Sequence, residues 1–353
     1  MLKLIDMADR GLLPDQLIRM GIRLLDRRRL KLERQSNAAL NGHAKIKFAR
    51  TMKESPIAVR THDANRQHYE VPAAFFETVL GRHLKYSGSY WPEECTSLDD
   101  AEAFMLDLYC SRAQLVDGMQ VLELGCGWGS LSLRVAARYP HSTVVAVSNS
   151  KSQRAYIEEK CRKEGIKNLT VITADMNAFE TDLRFDRVLS IEMFEHMRNW
   201  ERLLEKIGSW LKQDGKFFLH IFTHRKFSYL FETSGPDDWM GQHFFSGGMM
   251  PSHDLIQCFD KDLVVEEEWQ INGRHYQLTA EAWLQNLDAN RDTVLSIMKE
   301  VYGSAMARVW LQRWRIFFMA CAELWGYRSG KEWMISNYLL CKRGDRETSE
   351  EMS

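Results

Sequence analysis

Between residues 116 and 223, short β-rich runs alternate with longer helix-forming ones, and nothing else in the chain restricts its fold as much. GMQVLELG reads as a strand, and a helical stretch follows from Ser130 to Arg138. STVVAVSN, LTVITAD, FDRVLSIEMF and GKFFLHIF read as further strands. Between them lie the helical SQRAYIEEKCRKEG, ending at Gly165, and WERLLEKIGSWLK. Such alternation builds βαβ units, so an α/β fold with a mostly parallel, twisted sheet is expected. After His224 the rhythm gives way to an aromatic loop, a strand-like LVVEEEWQI, two helices around 280–325 and a closing strand. The expected division is a helical segment over 1–65, a covering segment over 66–115, a catalytic core over 116–223, a substrate-covering insertion over 224–335, a closing strand over 336–345 and a tail over 346–353.

Charge removes one class of partner. Lys and Arg number 47 against 48 Asp and Glu, so the net charge of −1 offers nucleic acid no electrostatic footing. The 7 cysteines are scattered with no C-x-x-C pair, which predicts buried thiols in a reducing compartment and no metal centre. The N-terminal MLKLIDMADRGLLPDQLIRM carries acids at Asp6, Asp9 and Asp15, so neither a signal peptide nor a membrane span is expected there. Cytoplasmic location follows as the expectation. Residues 1–50 hold twelve Lys/Arg against five Asp/Glu. Their helical apolar spacing fits a helix docked on the protein with a solvated basic face better than a membrane-surface helix. Tryptophan is abundant, with 11 copies, and flat indoles suit aromatic or cationic ligands.

The run VLELGCGWGS places Gly125, Gly127 and Gly129 where the first strand gives way to a helix, the edge at which α/β sheets bind ligands. A dinucleotide would require G-x-G-x-x-G and an acid about 20 residues on. Here Ser130 stands at the third glycine position, and the second strand ends in Ser148-Asn149-Ser150. The dinucleotide reading fails on both counts. E-x-G-x-G-x-G instead resembles motif I of class I S-adenosylmethionine-dependent methyltransferases, and Asp175-Met176 after the third strand resembles their adenine-binding segment.

Longer matches then fall together: QHYEVPAAFF (67–76), KYSGSYW (85–91), SIEMFEHM (190–197), HFFSGGMMPS (243–252) and WRIFFMACAELWGYRSGKEWMISNYLLCK (314–342). They resemble the cyclopropane-fatty-acid-synthase-like methyltransferases, and most closely the plant branch of coclaurine-type alkaloid and phenylalkylamine N-methyltransferases. The resemblance implies a class I, Rossmann-like sheet with helical covers at both ends of the chain, methyl transfer from S-adenosylmethionine to a small aromatic amine, and a homodimer as a candidate assembly. It implies cofactor contacts at Tyr69, Ser87, Gly125, Gly127, Asn149, Gln153, Asp175 and Met176. Glu192, Glu195 and His196 fall on the substrate side as catalytic residues. Tyr69, Glu70, His220, Phe222, Trp239, Tyr276, Trp325 and Trp333 are implied to line the substrate. Lipid cyclopropane synthases carry a cysteine where this chain has Gly88, and a smaller aliphatic residue at Phe222. Their bicarbonate-site positions otherwise match Glu195, His220 and Tyr276. Cyclopropane-fatty-acyl-phospholipid synthesis is therefore the alternative activity, with these two departures against it.

The chemistry asks for an acid and a base. An alkylamine titrates near ~10.4, so at neutral pH it arrives protonated and without a lone pair. A carboxylate can attract the ammonium while an imidazole takes its proton. Glu195-His196, just after the fourth strand, is expected to bring both groups into one cavity.

Overall fold

A computed structural model describes residues 2–40, 42–59, 71–231, 239–245 and 247–344. The predicted strands form at β1 (Gln120–Leu124), β2 (Thr143–Ser148), β3 (Leu169–Thr173), β4 (Phe185–Ile191) and β5 (Leu211–His224). Four later strands follow: β6 (Tyr229–Leu230), β7 (Met249–Met250), β8 (Leu263–Asn272) and β9 (Trp333–Lys342). The main sheet has seven strands in the order β3-β2-β1-β4-β5-β9-β8, with β6 and β7 forming a separate pair. β1 to β5 pair in parallel, while β9 runs antiparallel to both β5 and β8. The closing strand, expected from 336, begins at Trp333, and β8 supplies the sheet's edge from within the region read as a cover.

Successive side chains of a strand point to opposite faces, and the core follows that rule. Val121, Val144 and Phe218 join one apolar cluster, whereas Leu122, Val145, Phe217 and Leu219 join another. The helices that cover the first face are α4 (Ala73–Val79), α5 (Leu98–Arg112), α6 (Ser130–Arg138), α7 (Lys151–Glu164), α10 (Arg274–Ala289) and α11 (Arg291–Gly326). On the other face lie α3 (Ala44–Lys53) and α8 (Trp200–Trp210). The short α9 (Trp239–His243) lies between β6 and β7 in sequence. α11 breaks at Gly303, whose φ of 76° is non-helical.

The N-terminal helices α1 (Leu2–Asp9) and α2 (Asp15–Ala39) dock on α10 and α11. Ion pairs hold them: Arg19 reaches Glu281 at 2.6 Å and Glu323 at 3.0 Å, and Arg23 reaches Glu323 at 2.8 Å. The basic face expected to be solvated is thus partly spent inside the protein. Among the described residues no helix is long and apolar enough to cross a membrane.

Candidate active site

One cavity opens at the carboxyl ends of β1, β2 and β4 and runs toward α10 and α11. Its first half is built by the glycine loop. Gly127 has φ of +51° and open space where a Cβ would stand, so its backbone can lie against a ligand. Asn149, at the end of β2, is exposed and lines this half. Gln153 is buried and fixed by Ser148, whose hydroxyl donates to Gln153 Oε1 at 2.7 Å. Asp175 and Met176 line the same wall. Asp175 Oδ1 accepts from the Asn177 amide at 2.8 Å, and the Asn177 side chain clips on the backbone of Ala58. Ser87 lines the cavity and accepts from the buried ammonium of Lys85 at 2.7 Å. A loop with open space over Gly127, the exposed, uncharged Asn149 and the Asp175-Met176 wall fit S-adenosylmethionine.

The second half holds the chemistry. Glu192 follows β4 with φ of +47°, a conformation that a non-glycine residue adopts at some cost. That turn aims its carboxylate into the cavity, where three polar groups meet it. The Gly88 amide donates to Oε1 at 3.0 Å, His220 Nε2 stands 3.2 Å from the same oxygen, and the Tyr276 hydroxyl donates to Oε2 at 2.9 Å. Burial raises the Tyr276 phenol well above its usual range, so it stays a donor. The Tyr276 ring stacks on Trp325 with centroids 4.8 Å apart and planes 3° from parallel. Trp325 packs in turn against Phe222, and both line the cavity. Phe231, Met240, Phe245 and Phe317 complete an apolar, largely aromatic wall.

Several expected placements need correction. Glu195 does not line the cavity. It is buried, its Oε1 accepts from the Phe222 amide at 2.7 Å, and burial raises its carboxyl well above the usual range. Only His196 of that pair lines the cavity, its ring 4.5 Å from that of Phe245. The reason is local: Phe194–His196 form a 3-10 turn, in which neighbouring side chains diverge by about 120°. The partner of His220 and Tyr276 is therefore Glu192, where the resemblance pointed to Glu195. His220 is fully buried behind Glu192 and is not a wall residue; burial pulls its imidazole down to about 4.

Trp333 is core. It is fully buried and donates to the Tyr229 hydroxyl at 2.9 Å. Trp239 also leaves the wall to its neighbour Met240. Its indole donates to Asp9 at 2.8 Å, tying α9 to the N-terminal α1. Tyr69 and Glu70 lie outside the described residues.

Besides Phe231, Met240, Phe245 and Phe317, four further contributors were not foreseen. Lys85, Cys321 and Trp283 line the cavity, and Asn337 stands behind His220.

The sheet order, the glycine loop and the cavity together define a class I S-adenosylmethionine-dependent methyltransferase. The family model for mycolic acid cyclopropane synthetase matches residues 58–331. (S)-coclaurine N-methyltransferase of Thalictrum flavum subsp. glaucum is 37% identical over 345 residues, covering 97% of this chain and 96% of the relative. Pavine N-methyltransferase of the same plant is 34% identical over 343 residues, 96% of either chain. A crystal structure of coclaurine N-methyltransferase bound to N-methylheliamine and S-adenosylhomocysteine matches with a TM-score of 0.91 at 37% identity, over 96% of this chain and 99% of that one. The chain belongs to this cyclopropane-synthetase-type family, in its coclaurine N-methyltransferase branch, and is an S-adenosylmethionine-dependent N-methyltransferase.

Proposed function

We propose that the enzyme methylates the nitrogen of a small, hydrophobic aromatic amine of the benzylisoquinoline or phenylalkylamine type. The observation that carries this reading is the position of Glu192, a carboxylate met by the Gly88 amide, the Tyr276 hydroxyl and His220 Nε2 where the glycine-loop half of the cavity meets an aromatic chamber. Gly125, Gly127, Ser87, Asn149, Gln153, Asp175 and Met176 would hold the cofactor, which supplies an electrophilic methyl group on a sulfonium. The residues of this chain do the rest. Glu192 draws the ammonium group, and the aromatic rings of Phe222, Tyr276 and Trp325 receive its hydrophobic body. His196, which lines the same cavity, accepts the ammonium proton and frees the lone pair. Apolar walls exclude water, so the charge of Glu192 acts at low local dielectric.

The lipid alternative is weaker because Gly88 lies flush against Tyr276: a Cβ at position 88 would fall 2.8 Å from that ring. The cysteine of the lipid enzymes has no room there.

A panel of primary, secondary and tertiary aromatic amines, assayed with labelled methyl donor, tests the reading. Label in an aromatic amine is expected. Label in unsaturated phospholipid and in no amine would overturn it. We further propose a cytoplasmic homodimer. Free thiols support the compartment, and exposed Leu17, Met20, Leu24 and Leu25 on α2 support the assembly. Light scattering after gel filtration measures the latter.

A further inference from the structure

Asn337 lies at the centre of the buried strand β9, where pairing register sets it opposite His220 on β5 and Trp269 on β8. Its amide is bonded at both ends. Arg112 of α5, braced over the Trp269 ring at 5.0 Å, donates to Asn337 Oδ1 at 2.6 Å. Asn337 Nδ2 lies 3.1 Å from His220 Nδ1. A guanidinium has donors only, so Arg112 decides which end of the amide is oxygen. The other end is then NH2 and must donate, which makes His220 Nδ1 the acceptor. A neutral imidazole carries one proton, and it is thereby assigned to Nε2, the atom that faces Glu192 Oε1.

We propose that Arg112 and Asn337 are positioning residues for methyl transfer: they lock His220 as the Nε2–H tautomer, so that it donates to Glu192 and keeps that carboxylate aimed as receptor for the substrate ammonium. The kinetic part rests on the amine-methylation reading; the tautomer does not. In the other tautomer, a nitrogen lone pair would face the Glu192 oxygen across the same gap and push the carboxylate away. The groups acting on His220 are Glu192, Lys85 and Arg112, with the Tyr109 ring edge-on to it at a centroid separation of 5.1 Å. His220 is thus a fixed donor and takes no substrate proton.

The test uses the whole protein labelled with 15N-histidine, with the His220 signals identified by their loss in His220→Gln. Long-range proton–nitrogen correlation at pH 7 is expected to show a protonated Nε2 and a bare Nδ1. In Asn337→Asp the new carboxylate accepts only, so the Nδ1 proton should appear. Arg112→Met frees the amide to rotate and should give a mixture, which keeps the test alive if the buried Asn337 variant does not fold. Both variants should raise KM for the amine about tenfold while leaving S-adenosylhomocysteine affinity within about twofold, a split that a general loss of packing would not produce. A wild-type Nδ1–H tautomer, or an unchanged tautomer in both variants, overturns the proposal. A tautomer switch without any change in amine KM overturns its functional half. If wild-type enzyme methylates no amine, the substrate reading falls, and the nitrogen spectrum still judges the tautomer.

Discussion

A Cβ placed on Gly88 would stand 2.8 Å from Cδ1 of Tyr276, so the bare backbone at one position is what lets the ring lie against it at the other. Tyr276 in turn is the residue that joins Glu192 to the Trp325 stack. Introducing Gly88→Cys should push Tyr276 off both partners. The expected cost is about 1–3 kcal/mol in stability, and kcat/KM for the amine should fall at least about tenfold, more than Tyr276→Phe, which loses a single hydrogen bond. Denaturant unfolding beside steady-state kinetics measures both. Wild-type kinetics in Gly88→Cys would mean that the ring has room to move.

Glu192→Gln keeps the size of the side chain and removes its charge. A charge-assisted hydrogen bond contributes about 1.5–3 kcal/mol, so KM for a protonated amine should rise roughly 10- to 100-fold, with S-adenosylhomocysteine affinity kept. His196→Ala should instead lower kcat/KM by about 10²–10⁴ at pH 7 and recover as pH approaches ~10, where solvent supplies the free amine. A pH–rate profile parallel to wild type would place the base elsewhere.

The two tryptophans separate cavity from core. Trp325→Ala should raise KM for an aromatic amine more than for a small aliphatic one. Trp333→Ala should do neither selectively and should cost about 3–5 kcal/mol of stability. An aromatic-selective effect from Trp333 would contradict its buried position beside Tyr229.

Gly127→Val sets a branched side chain in the open space before the glycine loop, at a positive φ that disfavours it. Titration calorimetry should find no S-adenosylhomocysteine binding. Circular dichroism should show the fold intact, with a loss of about 1–2 kcal/mol. Retained tight binding would remove the loop from the cofactor site.

Asp26 tests how α2 is docked. Its Oδ2 is buried without a partner, and burial, reinforced by nearby Glu323, raises its carboxyl to about 7. A carboxyl raised on folding is neutral in the native state below that value, so its stabilisation is complete below its unfolded pKa and is lost as pH climbs through 7. Asp26→Asn escapes that loss. Relative to wild type it should gain on the order of 1–2 kcal/mol at pH 8 and little at pH 4, read as a melting-temperature difference that widens with pH. A constant difference would show that Asp26 is solvated.

What could be read from the residues alone follows the range of the interactions. β1 to β5 and the glycine loop were legible because strand period, turn chemistry and the bare Gly127 are written within a few positions of one another. Which acid turns into the cavity was not. That choice turns on a positive φ at Glu192 and a 3-10 turn at Phe194–His196, a difference of one backbone well that neighbouring residues do not announce. The roles of Trp239 and Trp333 depend on Asp9 and Tyr229, each more than a hundred positions away. Asn337 and His220 become neighbours only through sheet register, and Arg112 reaches them from helix α5.

The order of strands also sets a timetable for making the enzyme. β9 lies between β5 and β8, yet among the described strands it is the latest to leave the ribosome, and it carries Asn337. Until it arrives, β5 has one row of backbone groups unpaired and β8 has no neighbour at all, an edge of the kind that recruits other chains. A nascent molecule could therefore assemble its glycine loop early and still lack the finished support behind His220 and Glu192. Cofactor binding would mature before catalysis does, and the interval between them is when the newborn chain most needs protection from aggregation.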